Sequence, residues 1–327
     1  MAFYRRTQQP DSTGAMHMST SALLWAGFAV VITVMITLDL GVFNRKSHEV
    51  SFREALTWTL VWVGLALSFN AGILYFMGTT KALEFLTGYL IEESLSVDNL
   101  FVFILIFSYF HVPRKYQPKI LKWGIIGALV MRAAFIYLGI ELFERFHWMI
   151  YLFGIILIVT GIKMSFGGEE KINPERNLLV RLAKKFVPIT KKTYGDQFFI
   201  RRGGVLAATP LFLTLLVIES SDVIFAIDSI PAILAITTDP FIVYTSNVFA
   251  IMGLRSLYYL LSNVLEMFAH LKLGVSFILA FIGAKMLISS VYHIPIYFSL
   301  GVIIGALAIS ILTSITIGAK SKKTVKL

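Results

Sequence analysis

Apolar runs of roughly 20 residues recur along this chain, each long enough to cross a hydrocarbon core of about 30 Å. Spanning runs of that length fold as helices, which satisfy their own backbone polar groups. Composition agrees: 57% of the 327 residues are hydrophobic, 15% are charged, and the mean hydropathy is +0.78. The expected class is all-α, a polytopic membrane protein of about nine transmembrane helices. They are predicted near 21–43, 56–77, 83–110, 120–141, 147–166, 205–236, 243–262, 272–291 and 296–318. The sixth is too long for one straight span, and Pro231 is expected to break it.

A net charge of +10 would suggest nucleic acid in a soluble chain. Here the basic residues sit in short loops between apolar runs and act as topology signals, so no nucleic-acid partner is expected. With the N-terminus outside, 21 of the 29 lysines and arginines fall on the inner side and four on the outer side. The other four, Arg132, Lys163, Arg255 and Lys285, lie within spans. N-terminus out and C-terminus in is the predicted orientation. Residues 1–20 form a polar, disordered extension with no evident signal peptide, and Met16 or Met18 would serve equally as a start. The transmembrane domain covers 21–318, interrupted by a charged cytoplasmic loop at 167–204, and 319–327 is a basic cytoplasmic tail.

Two stretches place acids inside the apolar runs: IEESLSVDNLFVF at 91–103 and IESSDVIFAIDSIPAILAI at 218–236. A carboxylate at the centre of a membrane helix costs about 2.5–3.5 kcal/mol on insertion scales. Glu92, Asp98, Glu219, Asp222 and Asp228 would together cost on the order of 10 kcal/mol if unpaired, so they must face a cation, a proton, one another or a base. The surroundings repeat as well. VMRAAFIYL (130–138) resembles GLRSLYYLL (253–261), GIKM (161–164) resembles GAKM (283–286), and LSVDN (95–99) resembles FAIDS (225–229). These pair Arg132 with Arg255, Lys163 with Lys285, Asp98 with Asp228 and Glu92 with Asp222. A second alignment, SVDNLF (96–101) on SSDVIF (220–225), pairs Asp98 with Asp222 instead. A three-helix unit repeated after three helices lies upside down relative to its copy. The expectation is therefore an inverted three-helix repeat, 83–166 against 205–291, with a site near the midplane.

The donor set is hard oxygen. Glu92, Asp98, Asn99, Glu219, Asp222 and Asp228 are the candidate metal ligands, with Ser96, Ser220, Ser221, Arg132 and Arg255 in support. Such a set suits Mn²⁺, Ca²⁺ or Mg²⁺. There is no cysteine, and the six histidines fall at or beyond span ends, so thiolate and imidazole sites within the membrane are excluded. Asp222 and Asp228 stand six apart, about 240° round a straight helix, and Glu92 and Asp98 do likewise. Convergence on one ion therefore predicts that both motif helices unwind locally. The bland alternative is that the acids pair with Arg132 and Arg255 as buried structural glue, although two cations cannot neutralise five acids.

In GYLIEESLSVDNLFVF (88–103), ESSDVIFAIDSIPAI (219–233) and TSNVFAIMGLRSLYYLL (245–261), the chain resembles the TerC/Alx family of bacterial integral membrane proteins, essentially from Leu24 to the ninth span. The resemblance implies a manganese exporter of the bacterial inner membrane, within the wider group of LysE-like transporters built from inverted repeats. It also carries an older tellurium-resistance label. The family's acidic positions map onto Glu92, Asp98, Glu219, Asp222 and Asp228, whereas Glu93 stands where Alx-like proteins can have lysine.

The expected function is thus a secondary transporter exporting Mn²⁺ against protons, with Mn²⁺ as substrate, no permanently bound cofactor, and membrane lipid as surroundings. No nucleotide-binding P-loop is present, and enzymatic activity is not expected. Two other classes stay open: a Mg²⁺-dependent intramembrane enzyme acting on a diphosphate, and a scaffold or stress sensor whose acids are structural. The sequence leaves Mn²⁺, Ca²⁺ and Mg²⁺, the stoichiometry, the direction of flux and the oligomeric state open.

Overall fold

The structure, a computed structural model, describes residues 12–37, 50–146, 148–166, 178–190, 192–202, 205–262, 271–292 and 294–324. Side chains are not described at 12–23, 98, 178, 184, 202, 271 and 315–324. Residues 1–46 and 47–327 form two separate units. In the first, α1 (Ser12–Thr37) is a single helix whose Leu24–Thr37 portion is apolar. It begins inside the stretch expected to be disordered; once nucleated, a helix extends cheaply into neighbouring polar residues.

The second unit is helical apart from one short hairpin. Ser51 caps α2 (Phe52–Met77), its Oγ accepting from Glu54 N at 3.3 Å, with the Ser-x-x-Glu spacing of a capping box. Gly78, at φ 88°, turns the chain within one residue into α3 (Thr79–Tyr109), a backbone angle that favours glycine. At 31 residues α3 is about 46 Å long, more than a bilayer core requires. Its end is closed by Val112 N donating to Phe107 O at 3.0 Å, with His111 in the left-handed region at φ 50°. A short 3-10 turn leads into α4 (Gln117–Arg145), with Pro118 in its first turn, and α5 (Met149–Phe166) follows.

The loop region carries α6 (Leu178–Phe186) and an antiparallel hairpin, β1 (Phe199–Arg202) with β2 (Val205–Ala208), in register Phe199 to Ala208. The hairpin corrects the expected start of the sixth span. Residues 205–208 are strand, and α7 (Pro210–Leu234) starts only at Pro210, where a missing N–H costs nothing. Lys119 on α4 ties the loop down, its Nζ meeting Asp196 O at 2.6 Å and Asp196 Oδ2 at 2.9 Å. The lysine holds the Asp196 carboxyl below the usual carboxylate range.

Then come α8 (Pro240–Ser262), α9 (Leu271–Ile288) and α10 (Ile296–Thr324). Asp239 caps α8, its Oδ1 accepting from Phe241 N at 3.1 Å. Among the described residues, five helices are long and apolar enough to cross a membrane by length and composition: α2, α4, α5, α7 and α10. The five charged residues of α3, Lys81, Glu84, Glu92, Glu93 and Asp98, lower its hydropathy. The molecule is an all-α membrane protein in its architecture.

Packing is organised around α3, α4, α7 and α8, with α3 on α8 and α7 and α4 on α7 and α8. α5 lies along α9, and α2 and α10 cover the outside. The α5–α9 seam brings backbones together. A Cβ on Gly283 would fall 2.6 Å from Gly154 O, and one on Gly161 would fall 2.7 Å from Ser276 O. Ser276 Oγ also donates to Gly161 O. Small residues that let helices approach are the usual device where no hydrophobic effect drives helices together.

Candidate functional site

Arg132 projects from α4 and is 1% exposed. It arrives there because α4 presents it towards both α3 and α7 in a core that excludes water. Its Nη1 lies 2.7 Å from Glu92 Oε1 on α3 and donates to Ser229 Oγ on α7 at 2.7 Å. Its Nη2 lies 3.8 Å from Asp222 Oδ1, also on α7. Asp222 and Ser229, seven residues apart, share one face of α7 because two helical turns separate them. Glu92 is itself 1% exposed, and its second oxygen accepts from Asn247 Nδ2 on α8 at 2.8 Å. Four helices thus contribute to one buried polar knot. In an apolar interior, these charges stay ionised together only while each is matched.

One turn before Asp222, Glu219 points its carboxylate at Gly127 of α4. A Cβ there would lie 2.2 Å from Glu219 Oε1, so glycine makes the space for the acid. Glu219, Asp222 and Arg255 line a small, mainly apolar cavity with Phe103, Leu121 and Leu254.

The expected unwinding of the motif helices does not occur. α3 and α7 run unbroken through both motifs. Pro231 falls in the last turn of α7, where only one carbonyl is freed and Pro231 O accepts from Ala235 N at 3.0 Å. On a continuous helix Asp228 therefore stands on another side from Asp222, and it accepts from Thr160 Oγ1 of α5 at 2.8 Å. All five acids do not converge on one point. Among the described residues, no group of three or more His, Asp or Glu side chains stands close enough to hold a metal ion. The Asp98 side chain lies outside the described residues. Asn99 and Ser96 are buried on α3. Ser220 and Ser221 turn back on their own helix, donating to Leu216 O at 2.6 Å and Val217 O at 2.8 Å. Asn247, Ser229 and Thr160 were not singled out in the sequence. The signal for Asn247 was available: Thr245, Ser246 and Asn247 are three consecutive polar residues in an apolar run, and all are fully buried.

Buried acids bridged by arginine at the meeting of four helices define a class: a polytopic membrane protein with an ionisable centre in its helical core. The Integral membrane protein TerC family matches residues 77–323, and the chain belongs to that family. It is 50% identical over 292 residues, 89% of this chain and 92% of the relative, to "Uncharacterized membrane protein STKORF319" of Myxococcus xanthus. It is 46% identical over 313 residues to the Salmonella typhi protein named "Putative membrane-bound redox modulator Alx", covering 93% of this chain and 97% of that one. The protein of the same name in Escherichia coli K12 is 46% identical over 310 residues, 92% and 97% of the two chains. No solved structure matches the chain.

Proposed function

We propose that this protein is a secondary transporter that exports Mn²⁺ across the bacterial inner membrane in exchange for protons. The cation would be held between acids on α3 and α7. Glu92 and Asp222, one on each of these helices, both reaching Arg132 is the observation that carries the proposal. Asp98, Asn99, Glu219 and Asn247 would complete an oxygen set suited to a hard divalent ion. Asp228 would act apart, at α5. The arrangement around Arg132 is that of the ion-free carrier. Protons and the cation would compete for the same carboxylates, which is the simplest basis for exchange.

Nine spans, with the N-terminus out and the C-terminus in, in an inverted three-helix repeat, complete this reading. Its support lies in the helix contacts. Exchanging α3 with α7, α4 with α8 and α5 with α9 maps α3–α8 onto α4–α7, and maps α3–α7, α4–α8 and α5–α9 onto themselves. A shift of 122 residues carries Gly154, Ile158 and Gly161 onto Ser276, Ala280 and Gly283. The close approaches follow that shift: a Cβ on Gly283 would meet Gly154 O and Ile158 N, and one on Gly161 would meet Ser276 O and Ala280 N. The cavity holding both Asp222 and Arg255 is the counterpart of the Glu92–Arg132 pair, which supports pairing Glu92 with Asp222.

The redox role in the name of the Alx relatives would come to this chain as an indirect result of ion handling, since its 327 residues contain no cysteine. Cells loaded with Mn²⁺ and expressing the protein test the proposal by their metal content. Expression should lower cell manganese, while Glu92→Gln and Asp222→Asn should lose the effect at unchanged membrane abundance. Equal manganese with wild type and empty vector would overturn export. Variants that disappear from the membrane would point to a structural role for the acids.

A further inference from the structure

We propose that the Arg132 guanidinium is the resident counter-cation of the transport site: it lies between Glu92 and Asp222 when the carrier is empty, and the transported divalent cation displaces it. This rests on the transporter reading above. The position itself argues for it. Arg132 contacts an acid on each of the two motif helices, with Glu92 at 2.7 Å and Asp222 at 3.8 Å. Those are the two carboxylates a cation would have to bridge. A planar fork of donors can span two acids where an ammonium would sit on one. The two arms differ. The arm to Asp222 is a long ion pair beyond hydrogen-bond distance, whereas Nη1 is held by both Glu92 and Ser229.

Ser229 lies two turns beyond Asp222 on the same face of α7, so it offers the guanidinium an anchor away from Asp222. Withdrawal towards Ser229 would open the Asp222 side first. A divalent ion arriving there neutralises two carboxylates where the arginine neutralises one charge. Without any cation or proton, two acids would be left unpaired in a dry core, a state a carrier could not pass through on its return; the arginine matches one charge and a returning proton the other. Arg132 supplies that cation permanently. It thereby favours net export, because a carrier lacking it would have to protonate both acids before each empty return.

The test uses purified full-length protein, comparing wild type, Arg132→Met and Arg132→Lys. Mn²⁺ binding is read by tryptophan fluorescence and by the thermal unfolding midpoint, and ⁵⁴Mn²⁺ movement is read in proteoliposomes as net efflux and as Mn²⁺–Mn²⁺ exchange. Arg132→Met should bind Mn²⁺ roughly tenfold or more tightly, keep exchange and lose most of its net efflux. It should also gain more thermal stability from Mn²⁺ than wild type does. Arg132→Lys should restore part of the net efflux. If Arg132→Met is not recovered folded, Ser229→Ala supplies the test: without the anchor the guanidinium stays over Asp222, so Mn²⁺ should bind more weakly and the ratio of net efflux to exchange should rise, and unchanged Mn²⁺ affinity would overturn the counter-cation. Folded Arg132→Met with unchanged or weaker Mn²⁺ affinity would overturn the counter-cation while leaving the transporter reading intact. Wild type that neither binds nor moves Mn²⁺ would overturn both.

Discussion

Asn247 donates from a fully buried position on α8 to the outer oxygen of Glu92, 2.8 Å away, so the acid is held from two sides. Removing that donor leaves a buried carboxylate oxygen unsatisfied, a loss of about 1–3 kcal/mol. Asn247→Leu is therefore expected to lower the unfolding midpoint in detergent, followed by tryptophan fluorescence. An unchanged midpoint would mean that Glu92 finds another partner. The acids themselves were legible in the sequence because charge in an apolar run has few innocent explanations. Their neutral partners were not. A serine, threonine or asparagine in a membrane helix most often bonds its own preceding turn, as Ser220 and Ser221 do; nothing local distinguishes Thr160 from that habit, and Asn247 stands out only by its run with Thr245 and Ser246.

At the scale of the element, the α5–α9 seam makes the sharpest prediction. Gly161 and Gly283 each face backbone atoms of the opposite helix at under 3 Å from an added Cβ, so neither neighbour can yield by rotating a side chain. Gly161→Ala and Gly283→Ala should each destabilise the fold by about 1–3 kcal/mol, and by similar amounts, as judged by thermal midpoints. One strong and one neutral effect would contradict their equivalence. The loop anchor should respond to pH. Because Lys119 holds Asp196 below the usual carboxylate range, the tie is fully present above about pH 4 and weakens as pH falls through the lower folded value. Asp196 is half exposed, so the tie is worth under about 1 kcal/mol. Lys119→Met should speed protease cleavage near residues 192–202 at neutral pH, while wild type approaches that rate only in strong acid. Helix positions were legible from apolar length, but the α7 start was not: Val205–Ala208 is apolar enough to extend a span and is claimed instead by pairing with Phe199–Arg202. Pro231 misled for a similar reason, since a proline marks a break only where helix continues beyond it, and α7 ends three residues later.

For the whole molecule, the proposed internal repeat, read from Arg132 and Arg255 and from GIKM and GAKM, agrees with which helices touch. The convergence of all five acids, drawn from composition and spacing, did not survive. Two unbroken helices turn Asp228 of α7 towards α5 and leave Glu92 and Asp222 on Arg132. On the proposed reading, the transport site narrows to the α3–α7 crossing, with one acid from each motif helix. The most direct test is ⁵⁴Mn²⁺ flux into proteoliposomes with a pH gradient imposed or collapsed, for wild type, Glu92→Gln and Asp222→Asn in well-folded protein. The account predicts saturable flux in wild type that follows the gradient and falls at least about a hundredfold in either variant, each having lost a charge essential to the ion path. Wild-type flux that persists in both variants would contradict the assignment of the site to Glu92 and Asp222.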